Sequence, residues 1–348
     1  MVDILVILFL VLILISLRKE KNSDSYLSKE KCASLRGIMA ISIILHHLSE
    51  RFSEYPVLNQ FERVGYLIVA IFFFLSGYGL MCSYKIKGKE YFKGFWKTRI
   101  GYLFIVYFLI SVVYFVYFNA VGEHISFSDF LLSFINGVPT AVFSWYIIVQ
   151  LLFYIIFYSV FFFFDKTKNY IKIIIVFILT ICMMVAFYML KFAFYWYISD
   201  LAFVGGLLYS EYKKKIDLLL KKHYIIMLSA TLVGCAISIL LPVLASKINF
   251  QSTLLYPLSR NMFSMLLAVF LVFIMYKIDF KSKVLSYIGS ISLEIYLIHG
   301  LFMNAFNRFN TSDLLYCVLV LICSIAFAIL FSKINNLISV GLRKAIKK

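Results

Sequence analysis

Residues 100–122 read IGYLFIVYFLISVVYFVYFNAVG, twenty-three positions without a single charge. As a helix this stretch reaches about 35 Å, enough to cross a hydrocarbon core about 30 Å thick. Charge-free runs of similar length recur at 64–84, 173–190, 224–246 and 314–332. None alternates with polar residues, and each far exceeds the ~9–11 residues of a barrel strand, so these are helices. The run at 130–164 is too long for one helix; Pro139 and the preceding Asn136-Gly137 mark an outer loop, with a span from about Ala141. Shorter runs at 1–17, 34–48 (around Arg36), 192–210 (interrupted by Asp200), 261–276 and 284–306 (interrupted by Glu294) bring the candidate helices to eleven. The composition agrees: of 348 residues 63% are hydrophobic and 15% charged, with a mean hydropathy of +0.94. A soluble domain carries roughly 45–50% apolar and about 25% charged residues. Soluble enzymes, nucleic-acid binders and disordered chains are excluded. The expected fold is an all-α, polytopic membrane bundle of about 10–11 transmembrane helices.

The formal charge of +17 is the next item to explain. Alternating the connections puts 18–31, 85–99, 165–172, 211–223, 277–283 and the tail 333–348 on one side, with 27 of the 34 Lys and Arg. The other side holds six, and Arg36 lies within a helix. Cytoplasmic loops carry such an excess, so the N-terminus is expected outside and the C-terminus in the cytoplasm. The basic excess is topology, the lipid bilayer is the partner it serves, and nucleic acid is not expected. Residues 1–17 are not a signal peptide, because their positive charges follow the apolar run and no small-residue cleavage site appears. The expected organisation is an N-terminal anchor helix and basic loop at 1–31, a transmembrane domain at 32–341 and a basic tail at 342–348. All four prolines are expected at outer loops or outer helix ends. The six cysteines lack metal or disulfide spacing, and no metal or bound cofactor is expected.

Ionisable residues inside a span cost roughly 2.5–3.5 kcal/mol each on insertion scales and are functional candidates by default. Arg36 and His47 are eleven residues apart, about 20° beyond three full turns, so they share a helix face some 16 Å apart along the axis. His46 falls on another face. The plain alternative is that Arg36 snorkels to lipid phosphates and His47 is an interfacial histidine. Ser292, Tyr296 and His299 follow i, i+4, i+7, a polar stripe towards the bundle, while Glu294 projects nearly opposite; such a stripe also serves simply to hold helices together. In Phe73-Phe74-Leu75-Ser76-Gly77-Tyr78-Gly79, close helix packing competes with a role for Ser76. In Ser144-Trp145-Tyr146…Gln150…Tyr154, an aromatic belt competes with roles for Trp145 and Gln150. Lys93, Lys97 and Arg99, with three more lysines, gather at the cytoplasmic mouth, where a phosphate-bearing donor would be drawn.

The order of these segments resembles the membrane acyltransferase family 3, the bacterial O-acyltransferases. The matching pieces are Leu35-Arg36-Gly37-Ile38 with ten residues between Arg36 and His47, FFFLSGYGL at 72–80, YFKGFWKTRI at 91–100, SWYIIVQLLFY at 144–154 and ISLEIYLIH at 291–299. The resemblance implies a multi-pass protein of the bacterial plasma (inner) membrane. Its donor would be cytoplasmic acyl-CoA, with acetyl-CoA expected as co-substrate, and its acceptor a hydroxyl of a cell-surface glycan or lipid-linked saccharide. It makes His47 the key catalytic residue, as base or acyl carrier, with Arg36 and Arg99 beside the donor route. Tyr296, His299 and Ser292 are then candidates for positioning acceptor or transition state. The chain departs from the family where Trp96 and Tyr102 replace an arginine and a proline, and where Gln150 replaces a glutamate. The rival from another class is a transporter or flippase of a lipid-linked glycan, but no internal repeat and no mid-span proline is visible.

Overall fold

A computed structural model describes residues 1–20, 25–247 and 255–347. Lys21 of the first basic connection and Lys348 of the tail lie outside the described residues. Most of the described residues are helical, and they include one short antiparallel strand pair. In order it forms α1 (Asp3–Ser16), β1 (Leu17–Lys19), α2 (Lys29–Arg51), α3 (Pro56–Asn59), α4 (Gly65–Lys87), a 3-10 turn (Gly88–Phe92), a π-helical turn (Trp96–Gly101) and α5 (Tyr102–Ala120). There follow α6 (Phe127–Leu132), α7 (Trp145–Phe163), α8 (Asn169–Met189), a 3-10 turn (Phe194–Tyr197), α9 (Leu201–Lys247), α10 (Leu255–Met275), β2 (Ile278–Phe280), α11 (Lys283–Ser290), α12 (Ser292–Phe306) and α13 (Asp313–Lys347). The protein is a polytopic helical membrane bundle.

Among the described residues eight helices are long and apolar enough to cross a membrane, or nine counting the bent pair α11–α12 as one span. The eleven expected spans are corrected at two places, 1–17 and 284–306. α1 has only 14 residues, about 21 Å, short of a full crossing. It packs on the bundle through Val2, Val6 and Phe9, and its Asp3 accepts the backbone N–H groups of Val57 and Leu58. The runs at 192–210 and 224–246 fall on the two halves of α9, which meet at a kink at His223, where the backbone leaves helical geometry (φ −133°, ψ 39°). Between them EYKKKIDLLLKK contains only helix-compatible residues and a Lys213–Asp217 pair one turn apart, so the expected loop stays helical. The two halves fold back on one another: the Leu201 N–H donates to Asn261 and the Ser259 hydroxyl donates to the Ser238 carbonyl, so residues 201 and 238 meet adjacent turns of α10. The expected span at 284–306 is instead two helices at 77°. Pro242 lies in the last turns of α9, beside the start of α10, where Ser259 donates to the Ser238 carbonyl, and the expected start at Ala141 moves to Trp145.

Hydrogen bonds sort the connections into two ends. Lys31 pairs with Glu20, Tyr26 donates to Asp217, Lys85 donates to the Ser210 carbonyl, Asn169 reaches Glu211, and Lys172 donates to the Asp165 carbonyl. β1 and β2 pair at the same end, Leu17 opposite Phe280. These are the connections rich in Lys and Arg. At the opposite end Arg51 donates to Asn307, Tyr55 to Asp313 and Arg308 to Glu123.

Two helix pairs approach at backbone distance. A Cβ at Gly77 would lie 2.2 Å from the Phe203 carbonyl oxygen, and one at Gly206 would lie 2.1 Å from that of Phe74, which locks α4 against α9. At the basic end, a Cβ at Gly289 would lie 1.8 Å from the Ala33 carbonyl oxygen and one at Gly37 would lie 2.0 Å from that of Leu285. The break between α11 and α12 lets α11 lie against α2 this closely.

Candidate active site

The α11–α12 break frees backbone carbonyls that an unbroken helix would have bonded internally. Arg36, half-buried on α2, donates from Nε to the Gly289 carbonyl at 3.3 Å. It also lines a slot of about 230 Å³ together with Ser76, Tyr146, Gln150, Ser292 and Tyr296. The Ser76 hydroxyl and the Gln150 amide nitrogen are buried there without a partner among the described residues. Gln150 Oε1 accepts from Tyr146 at 3.4 Å. Buried polar groups are rarely left unpaired, so this slot offers hydrogen bonds to a guest.

His47 lies towards the other end of α2, buried at 9% exposure. Its Nδ1 sits 2.7 Å from Glu50 Oε2. An ionised carboxylate can only accept, so Nδ1 carries the proton and Nε2 is the basic nitrogen. Glu50 was not singled out from the sequence; its signal was present, since a carboxylate three residues on stands one turn away on the same side. The Phe143 ring stacks on the His47 ring with centroids 3.6 Å apart, and the His299 ring lies 5.2 Å away. His299 donates from Nδ1 to the Tyr296 carbonyl at 2.7 Å, and its Nε2 is buried without a partner. Phe143 has a left-handed backbone (φ 65°), a conformation uncommon for a bulky residue. The Tyr296 hydroxyl donates to its carbonyl at 2.6 Å and pins it. No local pattern in the sequence marks Phe143.

His47, Glu50, Phe143 and Trp145 line a second cavity of about 1050 Å³ at the end opposite the basic connections. Tyr296 lines both cavities and forms the wall between them. The slot with Arg36 and the cavity with His47 therefore lie on either side of one tyrosine. His46, expected on another face, lines the same cavity: its ring centroid lies 4.6 Å from that of His47, its Nε2 is 3.6 Å from Glu50 Oε1, and it donates from Nδ1 to the Phe61 carbonyl at 3.0 Å. His46, His47 and Glu50 offer ligand atoms within 4.8 Å of one another, a trio able to hold a divalent cation, although no metal was expected.

The remaining candidates are placed elsewhere. Lys93, Lys97 and Arg99 are exposed at the basic end and line neither cavity; Lys93 pairs with Glu90 at 2.6 Å. Glu294 turns away from both cavities and accepts from Asn335 on α13 at 2.5 Å, so it is a packing contact between helices. His299 lines neither cavity and stands behind Phe143 and His47.

A family model described as an acyltransferase domain matches residues 34–333, from the first turns of α2 into α13. No curated protein and no solved structure matches the chain.

Proposed function

The chain belongs to the acyltransferase family 3 and is a multi-pass membrane enzyme that transfers acyl groups other than amino-acyl groups; from this we propose that it carries an acetyl group from acetyl-CoA at the basic, cytoplasmic face of a bacterial inner membrane to a hydroxyl of a glycan or lipid-linked saccharide outside. The single observation that carries this reading is the pair of cavities divided by Tyr296, one with Arg36 and one with His47. The axial distance from Arg36 to His47, about 16 Å, is comparable with a pantetheine arm. Phosphates would stay near Arg36 at the basic end, and the thioester would reach past Tyr296. Amide groups along the arm would find the unpartnered Ser76 hydroxyl and Gln150 amide.

In the reaction, the acceptor hydroxyl gives its proton to His47 Nε2 while its oxygen attacks the thioester carbonyl carbon. Collapse breaks the carbon–sulfur bond, and the leaving thiolate takes the proton from Nε2. The products are an ester and free CoA thiol. Glu50 holds the imidazole in the required tautomer and stabilises the imidazolium formed midway, the role a carboxylate plays behind other catalytic histidines. Tyr296 positions Phe143 against the imidazole and does not donate to the oxyanion, because its hydroxyl is already spent. The α11–α12 break is a device transporters also use; here its freed carbonyl binds Arg36 at the mouth of the slot. Purified protein given acetyl-CoA and candidate saccharides tests the proposal. Thiol release and an acylated sugar, both lost in His47→Ala, support it; acetyl-CoA untouched by wild type with every saccharide rejects it.

A further inference from the structure

The outer cavity carries on one wall a cation that no acid among the described residues neutralises. Arg260, on α10, donates from Nη1 to the Tyr66 hydroxyl at 3.0 Å and from Nη2 to the Tyr256 hydroxyl at 2.7 Å. Its guanidinium carbon lies 5.5 Å and 4.9 Å from the centroids of the same two rings. Such a cage fixes the guanidinium and desolvates part of it. It uses two of the five N–H donors and supplies no negative charge. Arg260, Tyr66 and Tyr256 all line the cavity that His47 lines, and Arg63 and Lys191 line it too. None of these three cations forms an ion pair among the described residues with either acid on the cavity wall: Glu50 is held by His47, and Glu62 is exposed. The cage adjoins the histidines. Tyr66 follows Gly65, at which a Cβ would lie 2.2 Å from His46 Nε2.

We propose that this cage is an anion subsite: the acceptor sugar that presents its hydroxyl to His47 also carries a phosphate or carboxylate, which Arg260 binds. The proposal rests on the acyl-transfer function argued above. A pinned guanidinium with its remaining donors aimed at a cavity suits a planar or tetrahedral oxyanion, which it can grip at two points. Aromatic residues on the same wall, among them Trp145 and Tyr195, provide flat apolar faces for a sugar ring.

The test measures binding to full-length protein in an uncharged maltoside detergent, in a His47→Ala background so that no turnover intervenes. The probes are glucose 1-phosphate, glucuronate and methyl glucoside. At least tenfold tighter binding of one or both anionic sugars over methyl glucoside is expected. Arg260→Gln should bring that preference within twofold while leaving methyl glucoside unchanged. Arg260→Lys, which keeps the charge and the local fold but loses the fork, should give an intermediate preference. Phosphorylated and carboxylated probes distinguish the two anions. Equal binding of all three sugars, or a preference that survives in both Arg260 variants, overturns the proposal. So does displacement of glucose 1-phosphate by phosphatidylglycerol, which would make the cage a lipid-headgroup anchor. Acetyl-CoA hydrolysis by the wild type, read separately, reports on the transferase function and is independent of these outcomes.

Discussion

The outer cavity is about 1050 Å³, walled by aromatic rings and cations and floored by the His47–Glu50 pair, whereas the slot beyond Tyr296 is about 230 Å³ and presents Arg36, Ser76 and Gln150. One has room for a bulky guest and holds a histidine already set in one tautomer. The other is narrow and leaves hydrogen-bonding groups without partners. On the function proposed above, the difference would let a single bundle serve two substrates from opposite sides of the membrane. Width and aromatic faces suit a variable saccharide, while a narrow polar channel suits one invariant thioester arm. The chemistry belongs at their common wall.

Substitutions can break or sharpen that contrast. The largest effect is expected from His47→Ala, which removes the proton-transfer group and should lower transfer about 10²–10⁴-fold with insertion unchanged. His46→Ala should keep most of the activity, since its ring is turned to the Phe61 carbonyl; a loss equal to that of His47→Ala would instead point to the metal-capable trio, and a chelator would then abolish wild-type turnover. Glu50→Gln comes next. It keeps the shape but not the charge behind the imidazole, and kcat should fall on the order of tenfold to a hundredfold, with donor KM little changed. Arg36→Lys should act on the slot alone: donor KM rises about tenfold, as loss of one bidentate grip implies, and acceptor KM stays within twofold. The smallest effect belongs to the exposed cluster. Arg99→Lys or Lys93→Gln should change donor KM no more than about twofold, and that change should vanish at high salt because exposed charges are screened. A salt-resistant tenfold effect at Arg99 would move the donor's phosphates from the slot to that surface.

The shared face of Arg36 and His47 was legible because the helical period alone decides it. The segregation of basic connections was legible for a similar reason, since counting charges requires no tertiary structure. Glu50 lay within reach of the same reasoning, at three residues from His47, but attention to the long Arg36–His47 spacing passes over a local partner. Other features had no local signal. The break at Ile291 hides in an apolar run, because the partners that hold α11 there, Ala33 and Gly37, lie on a distant helix. Phe143 sits in a loop and is fixed by a tyrosine more than 150 residues away, with |i−j| of 153. The division of α9 was legible, but its place was not: charge was read as a loop over 211–223, whereas Glu-Tyr-Lys-Lys-Lys-Ile-Asp continues a helix well and the chain turns only at His223. Lys93, Lys97 and Arg99 were gathered at the cytoplasmic mouth by their place in one basic connection, and the fold leaves them exposed at the basic end.

The most direct measurement reconstitutes the protein in sealed vesicles with one orientation and separates the substrates across the bilayer. Acetyl-CoA is supplied only at the face bearing Arg36 and the basic connections, and the saccharide only at the face bearing His47. CoA thiol should appear on the donor side and acetylated saccharide on the other, both lost in His47→Ala. Transfer that occurs only when both substrates share one side, or that persists without His47, would contradict a divided site meeting at Tyr296.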